Sequence, residues 1–131
     1  MILGVGVDIL KIKHFQLAIK KTPQLLERVF TSSELKKAQS LSPTRQKAYF
    51  AKRFAAKEAT AKACGTGIGK HMGWKDISIS NLESGAPYVK INSKVTTFLC
   101  KKFNIKTPKI LISLSDEKDS VIAFALLQEK K

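Results

Sequence analysis

The sequence predicts an α+β domain in which helices pack on a mainly antiparallel sheet. Three features carry that expectation: an alternating segment at residues 1–9, a long capped helix at residues 42–63, and two strand pairs with polar turns beyond it. In the opening segment Leu3, Val5, Val7 and Ile9 share one face of a strand, and Ile2, Gly4, Gly6 and Asp8 share the other. The second face is almost bare until Asp8. Glycine inside a strand marks a place where a ligand or another backbone comes close, so Asp8 either borders cleared space or is an exposed acid at a strand end.

From Lys11 to Leu41 the chain reads as short helices. Thr22-Pro23 offers a cap and a first-turn proline ahead of Leu25, Leu26, Val29 and Phe30, and Thr31-x-x-Glu34 has the form of a capping box before Leu35 and Ala38. These segments serve packing. Lys11, Lys13, Lys20, Lys21, Arg28, Lys36 and Lys37 read as a solvated face, and His14 as a surface or helix-packing histidine.

Ser42 followed by Pro43 starts the central helix, because a hydroxyl caps free amides and proline has its φ preset for the first turn. Cys64 and Gly65 stop it, and Gly65-Thr-Gly67-Ile-Gly69 cannot continue it. Phe50, Ala51, Phe54, Ala55, Ala59 and Ala63 repeat at the helical period. Glu58, four residues after Phe54, projects along the side that should be buried. An i,i+4 pair with Lys62, worth about 0.2–0.5 kcal/mol, is the plain structural explanation.

Beyond the helix, Asp76–Asn81 and Tyr88–Asn92 alternate as strands around a turn at Ser84-Gly85. Ser93–Phe103 suits an amphipathic helix with Val95, Phe98, Leu99 and Phe103 inward. Lys109–Ser115 and Ser120–Leu127 then form a hairpin about Asp116-Glu-Lys-Asp119, and the apolar run VIAFALL is expected to be central or covered on both faces.

A chain of 131 residues, 44% hydrophobic, is sized for one domain over residues 1–131. Lys+Arg of 24 against Asp+Glu of 10 gives +14, a field that draws in nucleic acid, acidic membrane surfaces, acidic proteins or phosphorylated small molecules alike. A non-enzymatic nucleic-acid binder is the competing class. The phenylalanines lie at helical core spacing instead of alternating with arginine on a strand platform, and no helix-turn-helix or zinc module is present, so nucleic acid is not expected as a partner. No stretch reaches the ~18 apolar residues of a membrane span, and MILGVGVDI lacks a basic n-region and cleavage site. Cys64 and Cys100 lack metal-site spacing, so two reduced cysteines in a cytoplasmic protein are expected.

An acid on a strand, Asp8, and an acid on a helix, Glu58, could meet around one hard cation such as Mg²⁺, which takes one or two carboxylates and fills its octahedron with water and phosphate oxygens. The helix adds Arg45, Lys52, Arg53, Lys57 and Lys62, and the glycine loop after it offers backbone amides. Cations, amides and a metal suit a pyrophosphate. No GxxxxGK[ST] loop exists, so the pattern is a metal-assisted phosphate site of another kind.

Gly4-Val-Gly-Val-Asp8-Ile9, followed about fifty residues later by Arg53-Phe-Ala-Ala-Lys57-Glu58-Ala-Thr-Ala-Lys62-Ala-Cys-Gly65-Thr-Gly67-Ile68, resembles the holo-acyl carrier protein synthases, small bacterial 4′-phosphopantetheinyl transferases. The resemblance extends over essentially the whole chain and rests on the second, highly specific motif. It implies the phosphopantetheinyl transferase fold, assembled as a homotrimer with active sites between subunits. It implies transfer of phosphopantetheine from coenzyme A to a serine of apo acyl carrier protein, with Mg²⁺, releasing adenosine 3′,5′-bisphosphate and serving fatty acid biosynthesis. By the same resemblance Asp8 and Glu58 hold the metal, and Lys62, Arg45 and Arg53 hold coenzyme phosphates. Gly65 and the Gly85-Ala-Pro87 turn would line the nucleotide site, with Glu58 or a metal-side water taking the serine proton. The strongly acidic carrier protein gives the +14 charge a use. The chain departs from the family pattern at Lys11 and His14, where an acid and an arginine help dock the carrier, and at Asp116, where many members have a histidine.

Overall fold

The computed structural model describes residues 1–130. In chain order the elements are β1 (Ile2–Lys11), α1 (Ile12–Lys21), α2 (Leu25–Val29), α3 (Ser32–Gln39), α4 (Pro43–Ala63), a 3₁₀ turn (Trp74–Asp76), β2 (Ile77–Asn81), β3 (Pro87–Ile91), α5 (Ser93–Phe103), β4 (Pro108–Asp116) and β5 (Ser120–Glu129). The α+β expectation holds, with the antiparallel strands divided between two sheets: three strands in the order β1-β5-β4, and the β2-β3 hairpin. No helix among the described residues is long and apolar enough to cross a membrane.

The local signals in the sequence act where expected. Ser42 Oγ accepts the Arg45 amide at the start of α4, and Cys64 closes it before Gly65 at φ 77°. At α3 the capping box is complete, with Thr31 Oγ1 accepting from the Glu34 amide and Glu34 Oε1 accepting from the Thr31 amide at 2.9 Å. Thr22 behaves differently. It follows the last residue of α1, and its carbonyl, not its hydroxyl, accepts the Leu25 amide, so the five-residue α2 is entered through a backbone turn.

Helix α4 runs through the middle of the domain. Tyr49, Phe50, Ala51, Ala55, Ala56, Ala59, Ala61 and Ala63 are all buried, against β1 and β5 on one side and α1, α3 and β2 on others. Small side chains dominate the part that crosses the sheet because two glycines of β1 lie directly beneath it. A Cβ on Gly4 would stand 2.0 Å from the Ala63 carbonyl oxygen, and one on Gly6 would stand 2.1 Å from that of Ala59. What the bare face of the first strand admits is a helix backbone.

Strand β5 is central, as its composition demands, but only one of its faces is covered. Val121, Ala123, Ala125 and Leu127 are buried, whereas Ile122 and Phe124 are exposed. Register pairs Ile122 with Ile9 and Phe124 with Val7, and these join Val5 and Leu111 in one apolar surface on the side away from α4. Covering of VIAFALL on both faces is therefore not achieved within one chain.

Candidate active site

The close approach of β1 and α4 builds the site. Gly4, Gly6 and Asp8 alternate onto the face that meets α4, so seating the two glycines under Ala59 and Ala63 carries Asp8 to the same helix. Lys62 Nζ lies 3.3 Å from Asp8 Oδ1 and donates to the Val7 carbonyl at 3.0 Å. Glu58 sits one turn earlier on α4, half-buried. Burial and the negative charge of Asp8 both raise the pKa of Glu58, and the positive charge of Lys62 opposes them. The two carboxylates thus converge with one ammonium between β1 and α4. The i,i+4 explanation of Glu58 does not apply, because Lys62 bonds across to the strand.

The donor set fits a hard divalent cation. Two carboxylates repel one another, and a single half-exposed lysine balances them incompletely. Among the described residues no group of three or more His, Cys, Asp or Glu side chains gathers, so Asp8 and Glu58 would supply two oxygens at most in their usual single-oxygen mode, as Mg²⁺ sites on phosphate substrates do.

The remaining cations of α4 do not surround Glu58. Lys57 is fully buried and donates to Glu34 Oε1 and the Val29 carbonyl at 2.6 Å each, and to the Trp74 carbonyl at 3.1 Å. Burial lowers its pKa against the pull of Glu34, whose Oε2 in turn accepts the Ile79 amide at 2.8 Å. This lysine joins four segments of the fold and has no proton or charge to offer a substrate. Lys52 pairs with Asp116 at 3.0 Å. Arg53 lies about 180° around the helix from Lys62, as nine residues at 3.6 per turn require. Its guanidinium stacks over the Tyr49 ring at 3.8 Å and donates to Asn81 Oδ1.

Arg45 and Arg53 do come together. They line a cleft of about 290 Å³ with Lys37, Lys52, Tyr49 and Asn81. Pro87 opens β3 opposite Asn81, and Asn81 Nδ2 donates to the Gly85 carbonyl at 2.9 Å, so the Gly85-Ala-Pro87 turn is tied to this cleft. Gly65 is placed elsewhere, past the end of α4, where a Cβ would stand 2.8 Å from Lys102 Nζ. Within one chain the sequence-predicted residues therefore fall into an acid centre (Asp8, Glu58, Lys62), a basic cleft (Arg45, Arg53, with Pro87 beside it) and the loop at Gly65. Sequence reasoning missed Tyr49 and Asn81, which hold Arg53. The i,i+4 spacing of Tyr49 and Arg53 on α4 was the available signal for the first. Cys64 is no nucleophile, since burial pushes its thiol up to about 12.

A family model described as the 4′-phosphopantetheinyl transferase superfamily matches residues 4–125. A holo-[acyl-carrier-protein] synthase of Pelagibacter ubique is 38% identical over 129 residues, 98% of each chain. The chain belongs to the holo-acyl carrier protein synthase family. As a member it is a phosphopantetheinyl transferase, and the fold agrees with solved members of the family. The holo-[acyl-carrier-protein] synthase of Neisseria meningitidis superposes with a TM-score of 0.87 at 34% identity, covering 98% of this chain and all (100%) of that one. That of Bacillus anthracis, solved in complex with CoA (3′,5′-ADP), gives 0.83 at 31% identity over 99% of both.

Proposed function

We propose that the chain transfers the 4′-phosphopantetheine group from coenzyme A to a serine of apo acyl carrier protein, with Mg²⁺ held by Asp8 and Glu58, in support of fatty acid biosynthesis in the cytoplasm. The observation that carries this reading is the convergence of Asp8, Glu58 and Lys62, brought about by two glycines that let α4 lie on the backbone of β1. Mg²⁺, when bound, polarises the attacked phosphorus and neutralises charge on the departing adenosine 3′,5′-bisphosphate. Lys62, held in place by the Val7 carbonyl, presents a fixed positive charge to the same diphosphate oxygens. Glu58, or a water beside it, takes the serine proton. Arg45 and Arg53 bind the nucleotide phosphates, and Gly65 and Pro87 border the nucleotide.

A homotrimer with sites between subunits belongs to the same proposal. Two features support it: the exposed apolar face of the three-stranded sheet (Val5, Val7, Ile9, Leu111, Ile122, Phe124), and the division of the acid centre from the arginine cleft across α4. In an assembly, the acids of one protomer and residues of its neighbour complete one site. The basic surface steers the acidic carrier protein to it.

The test is mass spectrometry of apo acyl carrier protein incubated with the chain, coenzyme A and Mg²⁺. A gain of one phosphopantetheine group that disappears with a chelator is expected. An unmodified carrier under saturating conditions overturns the reading.

A further inference from the structure

Lys101 and Lys102 lie in the last turn of α5, where lysines ordinarily complement the dipole of their own helix and face water. Lys102 reaches further. Its Nζ donates to the Cys64 carbonyl at 3.0 Å, at the end of α4 and 38 residues away in sequence. It lies so close to the backbone there that a Cβ on Gly65, whose φ is 77°, would stand 2.8 Å from it. The rings of Phe103 and Phe98 flank the charge, with centroids 5.2 and 5.9 Å from Nζ. Phe98 in turn stacks on His71 at 4.5 Å and 15°, past the far end of the glycine loop. Helix α5 therefore grips residues 65–71 at both ends.

The loop held in this way is turned inward. The amides of Gly65, Thr66 and Gly67 donate to the Lys62 and Ala61 carbonyls, and that of Gly69 to the Met72 carbonyl. The backbone amides expected from the glycine spacing are thus occupied within the chain, and the end of α4 carries the negative pole of its helix dipole, about half a charge. An anion lying against this loop needs a cation from another element. Among the described residues Lys102 has no acidic partner, and its single hydrogen bond leaves two N–H groups of the ammonium unused.

We infer that Lys102 is a positioning residue for the coenzyme. It fixes the Gly65 loop on the end of α4 and offsets the negative pole there, so that the nucleotide half of coenzyme A can lie against the loop. This rests on the transferase reading for the substrate and on the contacts of α5 for the device.

The test compares the parent with Lys102→Met, which keeps an apolar stem over the rings but removes the charge, with Lys102→Arg, which keeps the charge, and with Lys101→Met as a control on the same turn. In transfer to apo carrier protein at fixed salt, Lys102→Met should raise KM for coenzyme A by about three- to tenfold, the size of one cation at a helix end. KM for the carrier and kcat should stay within about twofold of the parent, whereas simple loss of folded protein would lower the apparent kcat and leave both KM values alone. Lys102→Arg should restore most of the loss, and Lys101→Met should show none. Calorimetry should find adenosine 3′,5′-bisphosphate bound more weakly by Lys102→Met in the same proportion. An unchanged coenzyme KM, a fall in kcat alone, no rescue by arginine, or the same loss in Lys101→Met would each overturn the assignment. The two readings fail separately: bisphosphate binding that depends on Lys102 in a protein that modifies no carrier leaves this assignment standing and removes the transferase, and transfer with a coenzyme KM indifferent to Lys102 does the reverse.

Discussion

Gly6→Ala tests the architecture that makes the site. The added Cβ would lie 2.1 Å from the Ala59 carbonyl oxygen and 2.6 Å from the Ala63 amide nitrogen, both backbone atoms of a buried helix that cannot rotate away. To reach even 3.0 Å, the shortest separation real Cβ atoms show, β1 and α4 must part by about 1 Å. Overpacking of this kind costs about 1–3 kcal/mol, so thermal unfolding should move down by several degrees without loss of the fold. The larger effect is on chemistry. Asp8 rides on the strand and Glu58 and Lys62 on the helix, so parting the two elements separates these groups, and a misplacement of about 1 Å among reacting groups costs about a hundredfold in rate. Circular dichroism measures the first effect and carrier-protein mass spectrometry the second. Gly69→Ala, with nothing within 4 Å of its Cβ, is the control. A folded Gly6→Ala protein that modifies the carrier at the parent rate would refute the idea that the glycine seat aligns the acids.

Other outcomes follow from the same structure. Glu58→Gln should leave the fold intact, abolish Mg²⁺-dependent modification and erase the Mg²⁺-induced stabilisation, which at a hundredfold excess over Kd amounts to about 2.7 kcal/mol in the parent and is read as a rise in melting temperature. Lys57→Met strands the buried Glu34 carboxylate and should cost about 3–5 kcal/mol in a denaturant titration, with Lys57→Met/Glu34→Leu recovering little, because it leaves the Thr31 and Ile79 amides without their acceptor. At Asp76, burial pushes the carboxyl up, but hydrogen bonds from the Gly73 amide, Asn92 and Lys94 more than reverse it, so its folded pKa lies below the ordinary 3.8. A depressed carboxylate stabilises the fold above its unfolded pKa and loses that contribution as pH falls through the folded one. Asp76→Asn should therefore melt lower than the parent at neutral pH, with the gap closing as pH is taken below 3.8.

Legibility in the sequence tracked the range of the interaction. Signals that act within a few residues could be read directly: Ser42-Pro43 and Gly65 bracket α4, and the Thr31/Glu34 box and the Ser84-Gly85 turn form where they were expected. Gly4 and Gly6 announced a close approach but not its partner, because Ala59 and Ala63 lie more than fifty residues away. The charged residues of α4 were the hardest. Lys57 looks like any other lysine on a basic helix until Glu34, Val29 and Trp74 fold around it, and Arg53 is placed by Tyr49 and by Asn81 on a different element. The alternation of β1 and the continuous apolar run of β5 were visible, but which face stays open depends on the sheet order β1-β5-β4, which no local pattern encodes.

The pairing of β1 with β5 also constrains when the protein can begin to work. Among the described residues β1 has its strand partner in residues 120–129, so in a nascent chain the sheet that holds Asp8 against α4 is incomplete until nearly all of the domain has left the ribosome. Until then α4 is an alanine-rich helix with no floor, and catalytic competence should arise in a single late step of synthesis and not by degrees.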